Sequence, residues 1–600
     1  MSNQQGKLSF TRRAFLLATG KIALTSALVS RLFYLQIWQS DHYKTLATGN
    51  SVRLDFKTAL RGLILDRNGQ ALANNTKDFR IVMVREQTPD VENVITRVCT
   101  ILDIEDKRDR LIELVYQTPR SLPVSLHENL SWSQVADLEV RAPEIPGAYV
   151  EEGTKRSYVL GPALAHVIGY VQTPNPEKAK ESMAYRLPGA KVGKIGIEKY
   201  YDESLLGKPG FDEIEVNARR QIVRQLNSFP CTPGQDLQLS LDMDLQNQIY
   251  ERLREEKSAS AAVLDVHTGE VLALVSMPAF DPNLFLRGVK KEIWDEWMQS
   301  PYKPLVNKVI QAEYAPGSIF KLVVGLAGLE HKITTPQETI FCPGYMELGN
   351  HRFHCHKKHG HGSLNLVEAI RDSCDIYFYE MAKRLGIERI SAMAIKLGFG
   401  YKTGLELKDE RPGLMPTKDW KKQKYKSSWT MGETVIAGIG QGYLLATPLQ
   451  LALFGARLSS RKMITPTLMK QNGLNTNFFS ALDVNSQNLD IILKGMDMAV
   501  NSPLGTAHKA RIDVDGWTMA GKTSTSQVRR ISKQERLSKG ITIDPWHLRD
   551  HAMFMGIAPV SKPRYALSLV VEHGGWSSAA AVPVARDLIR MIHAYDKRVA

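Results

Sequence analysis

Residues 312–330, A-E-Y-A-P-G-S-I-F-K-L-V-V-G-L-A-G-L-E, contain the most informative tetrapeptide of the chain, S-I-F-K. Pro316 and Gly317 interrupt the preceding chain, and the apolar residues after Ser318 recur with helical spacing. This pattern predicts a helix that begins at or near Ser318, with Lys321 one turn further on and on the same face. A buried amine in that position can accept the hydroxyl proton, which makes Ser318 a candidate acylating nucleophile. The same spacing also occurs for a capping serine beside a solvated lysine, so other motifs must decide between the two.

The domain organisation follows from length and punctuation. A chain of 600 residues is too long for one core and predicts two or three domains. Over residues 39–235, short apolar runs alternate with Gly and Pro, which predicts a strand-rich α+β pedestal. Over residues 236–600, a buried hairpin, a series of helices and further strands predict an α/β domain whose sheet is closed by distant segments.

The N-terminal segment predicts a membrane anchor. Residues 1–13 form a polar tail, and residues 14–38 are long enough to cross a bilayer, which takes about 20 residues. Lys21 and Arg31 make the span less than ideal, and residues 11–17 also resemble a twin-arginine export signal. No small-x-small cleavage site follows, which favours an uncleaved single-pass anchor in the cytoplasmic (inner) membrane. The tail would then be cytoplasmic, and the rest of the chain would lie outside this membrane, in the periplasm.

Charge and cysteine content restrict the class of protein further. The formal charge of +14 is scattered, and no nucleic-acid motif accompanies it, so we expect a solvated basic surface suited to an anionic membrane or cell-wall polymer. Five cysteines is a small and odd number, which argues against a disulfide scaffold.

Two more segments carry hydroxyls and amines in suggestive settings. Ser373 and Asp375 stand just before the helical run 376–385, and Lys522 opens the strand-like run K-T-S-T-S. S-x-x-K, S-x-D and K-T-S therefore occur in this order along the chain. The set resembles the three motifs of penicillin-binding transpeptidases and serine β-lactamases.

Further motifs extend the resemblance over nearly the whole chain. They are R-G-x-I-x-D-R-N-G from Arg61, G-I-E at 196–198, G-I-G-Q-G at 438–442 and E-H-G-G at 572–575. Together they are similar to class B penicillin-binding proteins of the elongation type, the penicillin-binding protein 2 family. The resemblance implies a multidomain membrane protein with a dimerisation-type pedestal and a transpeptidase domain whose antiparallel sheet is flanked by helices.

The resemblance also implies an activity. It implies a peptidoglycan D,D-transpeptidase that cross-links stem peptides during cell elongation and is acylated by β-lactams, with D,D-carboxypeptidase activity on the side. The implied partners are a membrane glycan polymerase and the shape-determining (elongation) complex. A division-type transpeptidase shares this chemistry, and a catalytically weak scaffold for the polymerase is the alternative from another class. A β-lactamase or penicillin sensor needs no pedestal of this length.

Catalytic roles carry over by motif. The resemblance implies that Ser318 attacks the donor stem and that Lys321 acts as its base, kept neutral by burial and a second ammonium. It implies that Ser373 relays the proton to the leaving amine and that Asp375 orients the lysines and the acyl side chain.

The third motif supplies the implied substrate contacts. Lys522, Thr523 and Thr525 would hold the terminal carboxylate, and the backbone N–H groups of Ser318 and Thr525 would form the oxyanion hole. Ser524 stands where the family usually has glycine, a residue that lets substrate lie close along the strand. Its hydroxymethyl group is expected to affect acylation rate and β-lactam affinity.

A cysteine-rich segment predicts a metal site. Cys342, Cys355, His361 and Cys374 offer three thiolates and an imidazole, the donor set of a closed, structural Zn²⁺ site. Some elongation-type relatives resemble this chain in binding zinc at matching positions. A Cys342–Cys355 disulfide and plain buried thiols are the alternatives. The metal would hold the loop that carries Ser373.

Overall fold

The computed structural model describes seven parts of the chain, residues 12–40, 52–120, 122–216, 222–471, 479–514, 516–529 and 545–599. Most of the predicted tail, residues 1–11, lies outside them. An α-helix spans Arg12–Phe33 and continues as a π-helical turn over Tyr34–Trp38. Within the described parts, this is the one helix long and apolar enough to cross a membrane, and none of its side chains is buried. The orientation of this segment stays a prediction.

The N-terminal domain is rich in strands, as its punctuation predicts. Its described strands are β1 Val52–Lys57, β2 Ile64–Leu65, β3 Ala71–Val84, β4 Pro123–His127, β5 Ala148–Tyr158, β6 Val171–Gln172, β7 Val192–Gly193, β8 Gly210–Val216, β9 Ile222–Phe229 and β10 Leu237–Gln238. They form a β1-β8-β9 sheet, a β10-β2-β3-β4 sheet in which β5 also pairs with β3, and the β6-β7 pair. Because β10 pairs with β2, this sheet includes residues beyond position 235.

Short helices complete the N-terminal domain. The described α-helices are Val91–Leu102, Arg108–Gln117, Trp132–Val140, Ala165–Ile168, Pro176–Glu181, Gly196–Tyr200 and Asp202–Leu206. The amphipathic stretch from Val91 is thus two helices, because Asp103 adopts a left-handed conformation (φ +56°) that ends the first one.

A buried ion cluster joins two of the sequence motifs. Arg61 Nε and Arg156 Nε each donate to Glu198, both at 2.7 Å, and Arg61 Nη2 donates to Asp202 at 2.8 Å. Glu198 is fully buried, and burial alone would raise its pKa; the two guanidinium groups outweigh this and lower it. The R-G-x-I and G-I-E motifs therefore hold the domain together.

The C-terminal domain is built on one five-stranded antiparallel sheet in the order β12-β11-β19-β18-β17. Two small hairpin-like pairs, β13 with β16 and β14 with β15, lie beside it. The strands are β11 Ala259–Asp265, β12 Val271–Met277, β13 Ile340–Cys342, β14 Tyr345–Leu348, β15 His351–His354, β16 Gly362–Leu364, β17 Ala520–Ser526, β18 His551–Ala558 and β19 Tyr565–Val571. Strands from both ends of the domain share one sheet, as the sequence predicts.

Helices cover both faces of this sheet. They are Met243–Leu253, Leu284–Arg287, Lys291–Gln299, Lys308–Gln311, Lys321–Glu330, Leu366–Arg371, Asp375–Leu385, Ile387–Leu397, Lys418–Tyr425, Met431–Ala437, Pro448–Ser460, Ser486–Asn501 and Ser577–Val599. The first and last of these pack into one core cluster, and Lys321–Glu330 and Pro448–Ser460 into the other. Every residue from Lys321 to Leu329 is buried, which explains why that helix is apolar all round.

Candidate active site

The turn that carries Ser318 is a short 3₁₀ helix, Gly317–Phe320, which leads directly into the helix Lys321–Glu330. Gly317 adopts φ +53°, a left-handed conformation that glycine tolerates, and its N–H donates to the Gly440 carbonyl at 2.9 Å. Gly317 and the residue after Ser318 are buried, whereas Ser318 itself is half-buried. The hydroxyl is therefore held on a fixed turn that solvent reaches.

Lys321 is fully buried and bonds to the S-x-D segment. Its Nζ donates to Asp375 Oδ1 at 2.7 Å, to the Ser373 carbonyl at 2.8 Å and to Ser373 Oγ at 3.3 Å. Burial would raise the pKa of Asp375, but the Lys321 ammonium and a hydrogen bond from His356 hold it below its usual range. Lys321 and Asp375 thus form a buried ion pair within the site.

Ser373 lies in the tight connection between the helices Leu366–Arg371 and Asp375–Leu385 and adopts φ +56°. Such a conformation is strained for a serine and is typical of functional sites. It lets both the carbonyl and the hydroxyl of Ser373 accept hydrogen bonds from Lys321. The hydroxyl also accepts one from Lys522 at 2.8 Å, so it lies between two amines.

Lys522, on the edge strand β17, is completely buried. Burial, reinforced by the nearby charge of Lys321, holds its pKa well below the ordinary value. The resemblance predicts Lys321 as the neutral amine, yet Lys321 is paired with a carboxylate and it is the Lys522 pKa that is lowered. Which amine acts as base stays a prediction.

The hydroxyls of the third motif lie on the opposite face of β17 from Lys522. Thr523 Oγ1 donates to Thr506 Oγ1 at 3.3 Å, and Thr525 Oγ1 lies 3.0 Å from Ser577 Oγ. This follows from the period-two alternation of a strand. Thr523 and Thr525 as carboxylate ligands stay predictions.

Ser524 shares its strand face with Lys522. Its Oγ donates to the Pro316 carbonyl at 2.7 Å, and only 2% of the residue is exposed. The side chain therefore points towards the turn of Ser318 rather than along the outer edge of the strand, where the sequence led us to expect contact with substrate.

Two site contacts escaped the sequence reasoning. The N–H of His356 donates to Asp375 Oδ2 at 2.9 Å, and Gln441 Nε2 donates to the Thr525 carbonyl at 3.4 Å. His356 was noticed only as one of several histidines, although its place next to Cys355 was a usable signal. Gln441 lies in the G-I-G-Q-G motif, but no spacing rule links that motif to Thr525.

Family models agree with this geometry. The penicillin-binding protein transpeptidase domain matches residues 259–590, and the penicillin-binding protein dimerisation domain matches residues 56–239. The chain belongs to the penicillin-binding proteins. The predicted family and the predicted two-domain fold are thereby confirmed, while the boundary at residue 235 stays a prediction.

Individual relatives cover almost all of this penicillin-binding protein. The chain is 34% identical over 603 residues to the peptidoglycan D,D-transpeptidase MrdA of Haemophilus influenzae, covering 97% of this chain and 91% of the relative. It is similar to a solved complex between penicillin-binding protein PBP2 and MreC from Helicobacter pylori, with a TM-score of 0.79, 29% identity and coverage of 92% and 99%. A structure titled structural coordination of polymerization and crosslinking by a peptidoglycan synthase complex has a TM-score of 0.69, 28% identity and coverage of 97% and 98%.

The four predicted metal ligands of this penicillin-binding protein come together. The donor atoms of Cys342, Cys355, His361 and Cys374 all lie within 4.8 Å of one another, and all five cysteines of the chain are free. His361 Nδ1 is 3.6 Å from Cys342 Sγ and 3.5 Å from Cys355 Sγ. A tetrahedral zinc ion with bonds of about 2.3 Å to sulfur and 2.0–2.1 Å to nitrogen would require an S···N edge of roughly 3.5 Å. The residues therefore fit zinc in donor type and spacing.

Proposed function

We propose that this protein is a serine-type peptidoglycan D,D-transpeptidase of cell elongation. The observation that carries the proposal is the convergence of Lys321, Ser373, Asp375 and Lys522 in one hydrogen-bonded group beside the turn of Ser318. The name of the H. influenzae relative supports the same reaction. A hydroxyl flanked by two buried amines is suited to moving a proton between a nucleophile and a leaving group.

In the acylation step, Ser318 Oγ bonds to the carbonyl carbon of the penultimate D-Ala of a donor stem. The peptide C–N bond breaks, and the terminal D-Ala leaves with the serine proton on its amine. Lys321 and Ser373 are proposed to carry that proton, because Ser373 Oγ can accept from either lysine and donate towards the leaving group. An amine of a neighbouring stem then attacks the ester, which closes the cross-link and frees Ser318.

Charge stabilisation is proposed to come from the backbone and from β17. The N–H groups of Ser318 and Thr525 would bind the oxyanion, and losing one such donor typically costs about 10²–10³ in rate. Lys522, with Thr523 and Thr525, would hold the terminal carboxylate of the stem. D,D-carboxypeptidase activity would follow whenever water takes the place of the acceptor amine.

We further propose a structural zinc site made of Cys342, Cys355, His361 and Cys374. Bound zinc would supply a rigid cross-link and no open coordination position. Cys374 lies directly between Ser373 and Asp375, and the residue after Cys355 donates its N–H to Asp375. The metal would therefore hold the S-x-D segment in register with Lys321.

Location and partners follow from the same proposal. The helix Arg12–Phe33 would anchor the chain in the cytoplasmic membrane with the tail inside and both domains in the periplasm. The titles of the two structural neighbours, which name MreC and a peptidoglycan synthase complex, support a membrane glycan polymerase and the elongation complex as partners. Depletion in the source organism should give rounded cells; filaments would indicate the division pathway instead.

The activity is tested by incubating the purified full-length protein with a fluorescent penicillin. We expect a covalent adduct on the wild type and none on Ser318→Ala. A folded wild-type protein that forms no adduct would overturn the assignment and favour a scaffold role.

A further inference from the structure

Ser524 forms a buried tether between two segments of the active site. Its Oγ donates to the Pro316 carbonyl at 2.7 Å, across 208 positions of sequence, and 2% of the residue is exposed. Water therefore has little access to compete for this hydrogen bond. One end of the tether is on β17, and the other is two residues before Ser318.

The space beside the tether fits one hydroxyl. A Cβ atom placed on Gly317 would lie 2.3 Å from Ser524 Oγ, far inside contact distance. The hydroxyl of Ser524 thus occupies the space that the missing side chain of Gly317 leaves. The separation of the turn from the strand is therefore set by this hydroxymethyl group.

The backbone around Ser524 is held from other directions as well. Its carbonyl accepts a hydrogen bond from Ser577 Oγ, at the start of the last helix, and the Thr525 carbonyl accepts one from Gln441 Nε2. Gly440, the neighbour of Gln441, accepts the Gly317 N–H. The turn and the strand are thus both braced, and the Ser524 hydroxyl links them directly.

We propose that Ser524 is a positioning residue that sets the separation of the two oxyanion-hole N–H groups. The inference rests on the proposed function, in which these donors are the N–H groups of Ser318 and Thr525. The Thr525 N–H follows Ser524 directly, and the Ser318 N–H lies two residues after Pro316. The tether therefore joins the two segments that each supply one donor.

The chemistry explains why this spacing affects rate more than binding. When a β-lactam acylates the enzyme, Ser318 Oγ bonds to the ring carbonyl, the ring C–N bond breaks and the proton moves to the ring nitrogen. Negative charge develops on the carbonyl oxygen only as that bond forms, so donors placed about 2.7–3.1 Å from it act mainly in the transition state. A displaced donor lowers the acylation rate constant and leaves the initial non-covalent affinity almost unchanged.

This proposal and a crowding role make opposite predictions for Ser524→Gly. If the side chain only crowded the substrate, as its place in the K-T-S motif suggests, glycine would tighten binding and speed acylation. If it positions the oxyanion hole, glycine removes the tether, adds backbone freedom and slows acylation.

The test measures acylation of the full-length protein by a fluorescent penicillin over a range of concentrations, which separates the rate constant from the dissociation constant. We expect Ser524→Ala and Ser524→Gly to lower the rate constant about 10-fold with the dissociation constant within about 2-fold, short of the ~10²–10³ for deleting a donor. Ser526→Ala removes a buried hydroxyl from the same strand face two residues on and should acylate like the wild type. Thermal melting checks that each variant is folded.

A second measurement is independent of turnover. An acylaminomethylboronic acid forms a tetrahedral adduct with the serine and places an oxygen in the oxyanion hole, so its affinity should fall by a factor similar to the acylation rate. Equal or faster acylation by folded Ser524→Gly, or unchanged boronate affinity, would overturn the inference while leaving the proposed function intact. A folded wild type that is not acylated at all would overturn both.

Discussion

Lys522 Nζ donates a hydrogen bond to Ser373 Oγ across 2.8 Å, although the two residues lie 149 positions apart. Lys321 Nζ reaches the same oxygen at 3.3 Å from the other side. Ser373 thus connects the first and third motifs through one hydroxyl. Because Lys522 is buried next to the charge of Lys321, its pKa is lowered, and a proton can move within this group at modest cost.

Replacing Ser373 by alanine tests this connection. Ser373→Ala should slow acylation by fluorescent penicillin roughly 10²-fold, the typical size of a lost general acid–base step, because neither amine can then exchange a proton through the hydroxyl. The Ser373 carbonyl still accepts from Lys321, so the protein should stay folded. The rate is measured by time-resolved labelling from pH 6 to 10. A wild-type rate and pH profile would show that the hydroxyl takes no part.

Asp375→Asn should damage both stability and acylation. The substitution leaves the buried Lys321 ammonium without its counter-charge, and breaking a buried pair in this way costs about 3–5 kcal/mol. We expect a lower melting temperature together with at least 10-fold slower acylation. The matched control is Asp490→Asn, which loses an exposed pair with Arg461 and should melt and react like the wild type. Equal melting of both variants would contradict the role of Asp375.

Metal analysis tests the zinc proposal. Full-length protein should carry about one zinc ion per chain, as expected for a closed four-ligand site, and Cys355→Ser should carry much less. Chelation should lower the melting temperature and expose thiols to a thiol reagent, and it should slow acylation because the S-x-D segment loosens. Cys231→Ser lies outside the cluster and should keep its zinc. Protein without zinc, whose thiols stay unreactive after chelation, would refute the site.

His166 predicts an acid-sensitive contact between the two domains. Its Nε2 donates to the Pro304 carbonyl at 2.8 Å, and burial, with the nearby charge of Lys308, lowers its pKa to about 3. The unfolded chain binds this proton near pH 6.5, so the folded state loses stability as the pH falls below that value. Between pH 7 and 4.5 the loss is about 2–3 kcal/mol.

His166→Gln keeps a donor for Pro304 but cannot titrate. Its melting temperature should therefore fall less than that of the wild type between pH 7 and 4.5. His267→Gln, at an exposed histidine, should follow the wild type. Parallel acid melting curves for His166→Gln and wild type would exclude this source of sensitivity.

Glu198→Gln should destabilise the N-terminal domain. Two buried guanidinium groups, those of Arg61 and Arg156, would lose their shared carboxylate, with a cost of about 3–5 kcal/mol. The measurement is thermal unfolding, with Glu152→Gln at an exposed pair as control. A change no larger than in the control would mean that the remaining acceptors compensate for the lost charge.

Local patterns in the chain were enough for the family, the order of the three motifs and most elements near the site. Apolar spacing after Ser318 predicted a buried helix, and strand-like residues around Lys522 predicted an edge of the main sheet; both are local signals that a sequence carries directly. The spacing of Cys342, Cys355, His361 and Cys374 also suggested a shared ligand, although it matched no common zinc motif.

Contacts between distant segments could not be read in this way. Nothing in the sequence places the Ser524 hydroxyl on the Pro316 carbonyl, or the His356 N–H on Asp375, because these contacts depend on how the nucleophile turn, β17 and the cysteine-rich loop pack together. The same packing gives Lys321 a carboxylate partner and leaves Lys522 with the lowered pKa. Composition and periodicity therefore specified which groups the site contains. Burial and long-range packing specified their charge states and contacts, because both depend on neighbours that lie far away along the chain.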